Sequence, residues 1–335
     1  MMRVRPMAAR WFWLAVLLSA PVVLGAGWLY MRARPKPVPE KYRSPTLTAA
    51  SHDVWQHGPP ETRAIPFRVV FTSNVAGNFD LYVWESGRVR PLLVHLSDDL
   101  YPAVSPDGRW LVFQRQTGRQ GDIYLMDLMR GTVEPLVETP ADEQNPAWFP
   151  DGRRVVFDRD DGLGRQLFVV DVTTRRVEQI TEGTLSRNIL PAVAPDGFRI
   201  ALTSSAWVGW SVAWMDLRDR TLRSLVTGGA CRPDWSPDGR YLAITTQKFD
   251  GKGDIARIDV ATGQVENLTP GRTDTYDYDP RWSPDGRWIV FQTTTDKEGG
   301  NWQVWVLEAL TGQTLLLIDS PGQDLYPNWW PPPKY

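Results

Sequence analysis

The sequence predicts an all-β fold: a six-bladed β-propeller closed by its C-terminal strand and preceded by one transmembrane helix. Three observations carry this. Pro-Asp-Gly recurs five times, its aspartates Asp107, Asp151, Asp196, Asp238 and Asp285 standing 44, 45, 42 and 47 residues apart. Each copy sits in a common frame running from a proline to an apolar strand: YPAVSPDGRWLVF from Tyr101, NPAWFPDGRRVVF from Asn145, LPAVAPDGFRIAL from Leu190, RPDWSPDGRYLAI from Arg232 and DPRWSPDGRWIVF from Asp279. The two ends of the repeat array hold complementary partial copies. A period in the forties points to propeller blades.

One copy explains the others. In Ser105-Pro106-Asp107-Gly108 the proline presets φ for the second turn position, the aspartate suits the third, and the glycine supplies the positive φ that closes a hairpin. A strand therefore precedes the turn, and a second runs from Trp110 to Arg115. A polar hairpin from Gln116 follows, then a third strand from Asp122 to Asp127, a turn at Leu128, and a fourth strand from Val133 to Glu138. Four strands per repeat make one blade. Ahead of the first Pro-Asp-Gly, Arg68 to Val94 reads as a blade lacking its first strand, since Phe71 and Tyr82 stand 42 residues before Phe113 and Tyr124. YPNWWPPP, from Tyr326, repeats the first-strand frame without its turn. Pairing of that strand into the N-terminal blade completes six blades and removes the exposed edges of an open array.

The Pro-Asp-Gly frame resembles the WD-repeat-like propeller repeat of the TolB C-terminal domain, and the resemblance spans residues 64–335, about four fifths of the chain. TolB carries an α/β domain ahead of its propeller where this chain has only a short linker, so the resemblance is to the propeller and not to the whole protein. It implies a component of a bacterial envelope and an envelope protein as partner. Similar propellers precede the hydrolase domain of dipeptidyl-peptidase-type enzymes, so the fold does not assign the function.

Residues 1–10 form a short basic N-terminus. From Trp11 to Met31 the chain runs uncharged, about 31 Å as a helix against roughly 30 Å of hydrocarbon. Trp11, Phe12 and Trp13 at one end, with Trp28 and Tyr30 at the other, supply interfacial aromatic belts. The segment is read as a signal-anchor; the competing reading is a signal peptide cut after Gly27. Basic residues flank both ends, so charge does not orient it. A short basic start before the first apolar segment is the usual export signal, which together with the resemblance places the propeller outside the cytoplasm, in the periplasm or at the cell surface. The single cysteine, Cys231, permits no intrachain disulfide. Residues 32–63 are a proline-rich linker, capable of holding the propeller up to ~100 Å from the bilayer if extended.

Composition argues against most chemistry. A formal net charge of −2 leaves no basic field for nucleic acid. His52 and His57 fall in the linker and His95 stands alone on the propeller, so neither a metal set nor a catalytic triad is indicated. No cofactor, metal or catalytic residue is assigned. DRDDG from Asp158 lacks the later glutamate of a cation loop and reads as a hairpin. Glu85, Asp127, Asp171, Asp216, Asp259 and Glu308 fall at the end of the third strand in all six blades, where they serve the following turn. Most of the 17 tryptophans are architectural as well, Trp148, Trp235, Trp282 and Trp329 sharing one first-strand position.

Subtracting what every blade shares leaves two outliers. SAWVGW brings Trp207 and Trp210 into a second-to-third hairpin that is polar in the other blades, and TPGRTDTYDYD brings Tyr276, Asp277 and Tyr278 into the approach to the last first strand. Both belong to one face, which also receives Asp98, Tyr101, Asp142 and Asp324 from equivalent loops. That face is expected to be acidic and aromatic and is the candidate partner-binding surface. The resulting expectation is a membrane-anchored, extracytoplasmic, non-catalytic protein-binding module. The alternative is a carbohydrate-binding or carbohydrate-processing propeller that stacks a glycan on the same aromatic loops.

Overall fold

The computed structural model describes residues 55–56, 58–162, 164–183, 186–296 and 300–332. The predicted transmembrane segment and the linker as far as residue 54 lie outside the described residues. Among the described residues no helix is long and apolar enough to cross a membrane.

Six antiparallel sheets follow one another around an axis. The first contains β1 (Trp55–Gln56), β2 (Arg68–Ser73), β3 (Asp80–Glu85) and β4 (Arg88–Leu93). The second is β5 (Asp98–Val104), β6 (Trp110–Thr117), β7 (Gln120–Asp127) and β8 (Thr132–Val137). The third is β9 (Asp142–Trp148), β10 (Arg154–Asp160), β11 (Arg165–Asp171) and β12 (Val177–Gln179), and the fourth β13 (Asn188–Val193), β14 (Arg199–Ser204), β15 (Ser211–Asp216) and β16 (Thr221–Val226). The fifth is β17 (Ala230–Trp235), β18 (Tyr241–Thr246), β19 (Asp254–Asp259) and β20 (Val265–Asn267). The sixth is β21 (Tyr276–Trp282), β22 (Trp288–Thr294), β23 (Gln303–Glu308) and β24 (Thr314–Ile318), and the last strand is β25 (Asp324–Trp330).

β25 closes the ring as expected. It pairs with β2 from Arg68↔Trp330 to Ser73↔Asp324 and so becomes the innermost strand of blade 1. The fold also takes in residues that the sequence reading gave to the linker. β1 adds a fifth strand outside β4 through Trp55↔Val89, and a 3₁₀ turn, Pro60–Ala64, buries Thr62.

The hydrophobic core is divided into six clusters, one in each wedge between neighbouring blades. Second strands are covered on both faces and are buried almost throughout, as in β6, whereas the outer β8 is largely open to solvent. Register repeats with composition. Phe71 opposes Tyr82, Phe113 opposes Tyr124 and Phe157 opposes Phe168, with ring centroids 5.8, 5.9 and 5.9 Å apart.

Three of the four repeated tryptophans are staples between blades. Trp148 donates its indole N–H to the carbonyl of Ala103 at 3.0 Å, Trp235 to Ala192 at 3.1 Å and Trp329 to Arg281 at 2.8 Å, each reaching the innermost strand of the preceding blade. The Pro-Asp-Gly turns behave as their chemistry requires. Asp107 accepts the Arg109 N–H at 3.0 Å, Ser105 Oγ accepts the Trp110 N–H at 2.9 Å, and Gly108 takes φ +73°. Acids closing the third strands bind the next turn, as Asp127 does with the Met129 and Arg130 amides at 2.9 and 3.1 Å.

Candidate functional site

The loops entering each first strand and the second-to-third hairpins share one face. In blade 2, Asp98 pairs with Gln116 while the β6–β7 hairpin closes at Thr117↔Gln120, and the Pro-Asp-Gly turn lies at the other end of β5. We call the first end the mouth face.

At the middle of each innermost strand stands a non-glycine residue in the left-handed region: Tyr101 (φ +52°), Asn145 (+54°), Leu190 (+54°), Arg232 (+57°), Asp279 (+55°) and Tyr326 (+52°). Each precedes the frame's proline, and each lies within a register shift against the second strand. Such backbone costs about 1 kcal/mol or more per residue, so something must hold it. In three of the six blades the preceding blade does. The Leu190 N–H reaches Asp158 Oδ2 at 3.1 Å, the Arg232 N–H reaches Thr203 Oγ1 at 2.9 Å, and the Tyr326 N–H reaches Gln292 Oε1 at 2.7 Å. Asp158, read as part of a simple hairpin, is instead fully buried and also binds Arg165 and Asn145. At this level Tyr101 stacks on Tyr326 with centroids 3.8 Å apart, and Arg232 pairs with Asp279.

The acids expected to charge the mouth face are mostly engaged internally. Asp99 is buried and held at both oxygens by Arg115 at 2.8 and 2.9 Å. Glu143 binds Arg159 at 2.9 Å, and Asp277 binds Arg272 at 3.0 Å and Thr293 Oγ1 at 2.5 Å. Asp142 accepts from the Gly121 amide at 2.8 Å, from Gln144 at 2.9 Å, and from Arg165.

The predicted partner residues therefore divide. Asp277, Tyr278 and Asp324 are buried, at 1, 4 and 0% exposure, and do not belong to an open surface. Tyr278 stands edge-on to Trp302 at 5.9 Å, and burial raises its phenol pKa. Asp324 latches the closing strand, accepting from the Ser320 N–H and Oγ at 2.8 Å each, and burial pushes its carboxyl up to about 7 against those hydrogen bonds. Asp98, Tyr101, Asp142, Trp207, Trp210 and Tyr276 are half-buried. Asp98 accepts the Phe79 N–H at 2.9 Å, and Tyr276 lies under Lys252 Nζ at 5.5 Å. The Trp207–Trp210 segment packs its backbone on the next loop, Trp210 O accepting the Ala230 N–H at 3.1 Å, and leaves Val208 89% exposed. Phe249, on the corresponding hairpin of blade 5, is also exposed.

An open cleft of about 1000 Å³ lies on the mouth face between blades 2 and 3. Arg119 and Thr139 line it from blade 2, and Asp142, Arg159, Asp160 and Phe168 from blade 3. The sequence reading missed its arginines because charge counting does not reveal which charges already have partners. Among the described residues no group of three His, Cys, Asp or Glu side chains is placed to hold a metal ion. His95 is exposed, and its Nδ1 accepts the Ser97 N–H at 3.1 Å.

Comparison with known proteins places this architecture. Residues 97–232 match the family model described as the TolB beta propeller domain. TolB from Acinetobacter baumannii superposes with a TM-score of 0.68 at 22% identity, covering 79% of this chain and 67% of that one. A putative TolB from Agrobacterium tumefaciens gives 0.61 at 20%, covering 79% and 98%. A puromycin-hydrolyzing peptidase from Mycobacterium tuberculosis gives 0.54 at 16%, covering 72% and 42%, so the same fold also occurs within an enzyme. No curated protein matches the sequence. The resemblance read from the Pro-Asp-Gly frame is thus to the TolB-type propeller.

Proposed function

We propose that the protein is a non-catalytic binding propeller of the cell envelope that captures a partner protein on its mouth face. In this reading residues 11–31 anchor it in the membrane and residues beyond them carry the propeller on the extracytoplasmic side. The observation that carries the proposal is the Trp207–Trp210 hairpin. Its backbone is fixed against the neighbouring loop while Val208 projects into solvent and both indoles are half-exposed. An apolar tip costs free energy in water unless something covers it, and aromatic side chains at such positions are the usual binding anchors. The match of residues 97–232 to the TolB propeller family supports an envelope setting. A glycan reading draws less support, because Tyr278, one of the rings it needs, is buried against Trp302.

The test is a double substitution, Trp207→Ala with Trp210→Ala, in the membrane-embedded full-length protein. Crosslinked partners recovered with the parent should be lost with the variant, at a cost of about 2 kcal/mol or more per anchor, while the melting temperature stays near that of the parent. Retained capture by a destabilised variant would assign both rings to the fold.

A further inference from the structure

Three acids and two arginines line the cleft between blades 2 and 3. Among the acids Asp161 is exposed at the hairpin, while Asp142, as described, and Asp160, by the Gly162 amide at 3.0 Å and by Arg187 and Arg165 at 3.7 and 4.0 Å, are already satisfied. Its arginines are not. In blade 2, Arg115 spends Nε and Nη2 on both oxygens of Asp99, and the pair is closed. In blade 3 the corresponding acid is Glu143, one methylene longer, and Thr139 Oγ1 donates to the same Oε1 that Arg159 Nε reaches. The outcome is a mismatched pair. Glu143 is fully buried with Oε2 lacking a partner, and Arg159 lies over the Phe168 ring at 4.4 Å with its terminal nitrogens bound to no acceptor among the described residues. Arg119, at the tip of the β6–β7 hairpin, is exposed and makes no ion pair among the described residues.

We infer that this cleft takes a carboxylate side chain from an acidic peptide segment of the partner, held between the guanidinium groups of Arg119 and Arg159. A guanidinium with two free N–H groups matches a carboxylate geometrically as well as electrostatically, and Arg159 is pre-oriented by its hold on Glu143 and by its stacking on Phe168. The same stacking favours a peptide over an acidic sugar. The Phe168 ring is buried beneath Arg159 and offers no open face on which a sugar could stack. The inference rests on the mouth face being the partner surface and adds the chemistry of what is bound there.

Fluorescence anisotropy on the full-length protein in detergent tests it, with dye-labelled hexaglutamate as probe and hexaglutamine, hexalysine and an acidic oligosaccharide as competitors. Hexaglutamate should bind saturably, and more weakly as salt is raised from about 50 to 300 mM. Arg119→Glu, at an exposed position, should lower the affinity about tenfold or more, whereas Arg119→Lys should keep most of it. Absence of saturable binding up to about 1 mM, an Arg119→Glu variant that binds like the parent, or displacement by the oligosaccharide at lower concentration than by hexaglutamate would each overturn the assignment. The tryptophan double variant separates the two readings. Hexaglutamate binding retained by that variant, with Arg119→Glu deficient, supports the cleft whether or not the tryptophans prove to be anchors.

Discussion

Removing residues 324–335 deletes β25 and should abolish the cooperative fold. The strand takes with it Trp329 and Leu325, each 3% exposed, and the buried latch at Asp324. Truncating a buried tryptophan costs about 3–5 kcal/mol and a buried leucine about 2–5 kcal/mol, so the two side chains alone amount to roughly 5–10 kcal/mol. A whole domain is stable by only about 5–15 kcal/mol, and the ladder to β2 is lost as well. The truncated chain should therefore lack a sharp calorimetric transition, and the bared edge of β2 should drive association seen by size exclusion with light scattering. The single substitution Trp329→Ala grades the effect. It removes the contact with Phe67 at 5.9 Å and the bond to Arg281 O at 2.8 Å, which predicts a fall in melting temperature of roughly 6–20 °C at about 2–4 °C per kcal/mol. A truncated protein that stays monomeric and melts within a few degrees of the parent would refute closure by this strand.

Asp324 makes stability depend on pH. Its folded pKa of about 7 stands above the ordinary carboxyl value, so the folded state holds an extra proton between about pH 4 and 7, and this contribution is lost as pH rises through that window. Urea midpoints of Asp324→Asn should show a shallower decline from pH 4 to 7 than the parent; an identical slope would remove Asp324 as the cause. Leu190 sits at φ +54° where blade 3 has Asn145, so Leu190→Asn should stabilise by about 0.5–1 kcal/mol, and a lower urea midpoint would show that its side-chain packing outweighs the strain.

The architecture was legible because each of its determinants is local. Turn chemistry at Pro-Asp-Gly, alternation within strands and the shared tryptophan position are all read within a dozen residues, and the period then sets the number of blades. The candidate surface was less legible because its properties depend on pairing across strands and blades. The carboxylates of Asp142 and Asp277 read as surface charge, yet each meets an arginine, Arg165 and Arg272, and for Asp142 that arginine is 23 residues away on another strand. Tyr278 read as an exposed loop ring because its loop looked polar, but it lies within β21, where Asp277, Tyr278 and Asp279 are buried in succession because the strand is covered on both faces. Trp207 and Trp210 differ from the other hairpins in residue type alone, a difference that does not depend on pairing.

On the innermost strands, what the blade demands is separate from what it leaves free. At the residue before the first-strand proline all six backbones adopt one conformation, yet the side chains are Tyr101, Asn145, Leu190, Arg232, Asp279 and Tyr326. Where the preceding blade captures the N–H, it does so with three different residue types: Asp158, Thr203 and Gln292. The requirement thus falls on the backbone, with an acceptor behind it in three of the six blades, and the side chain at this position is not dictated by the fold. A position with fixed geometry and free chemistry is where one repeat can differ from the next without disturbing its blade. The stacked Tyr101–Tyr326 pair and the Arg232–Asp279 pair make the inner strands uneven in polarity from blade to blade.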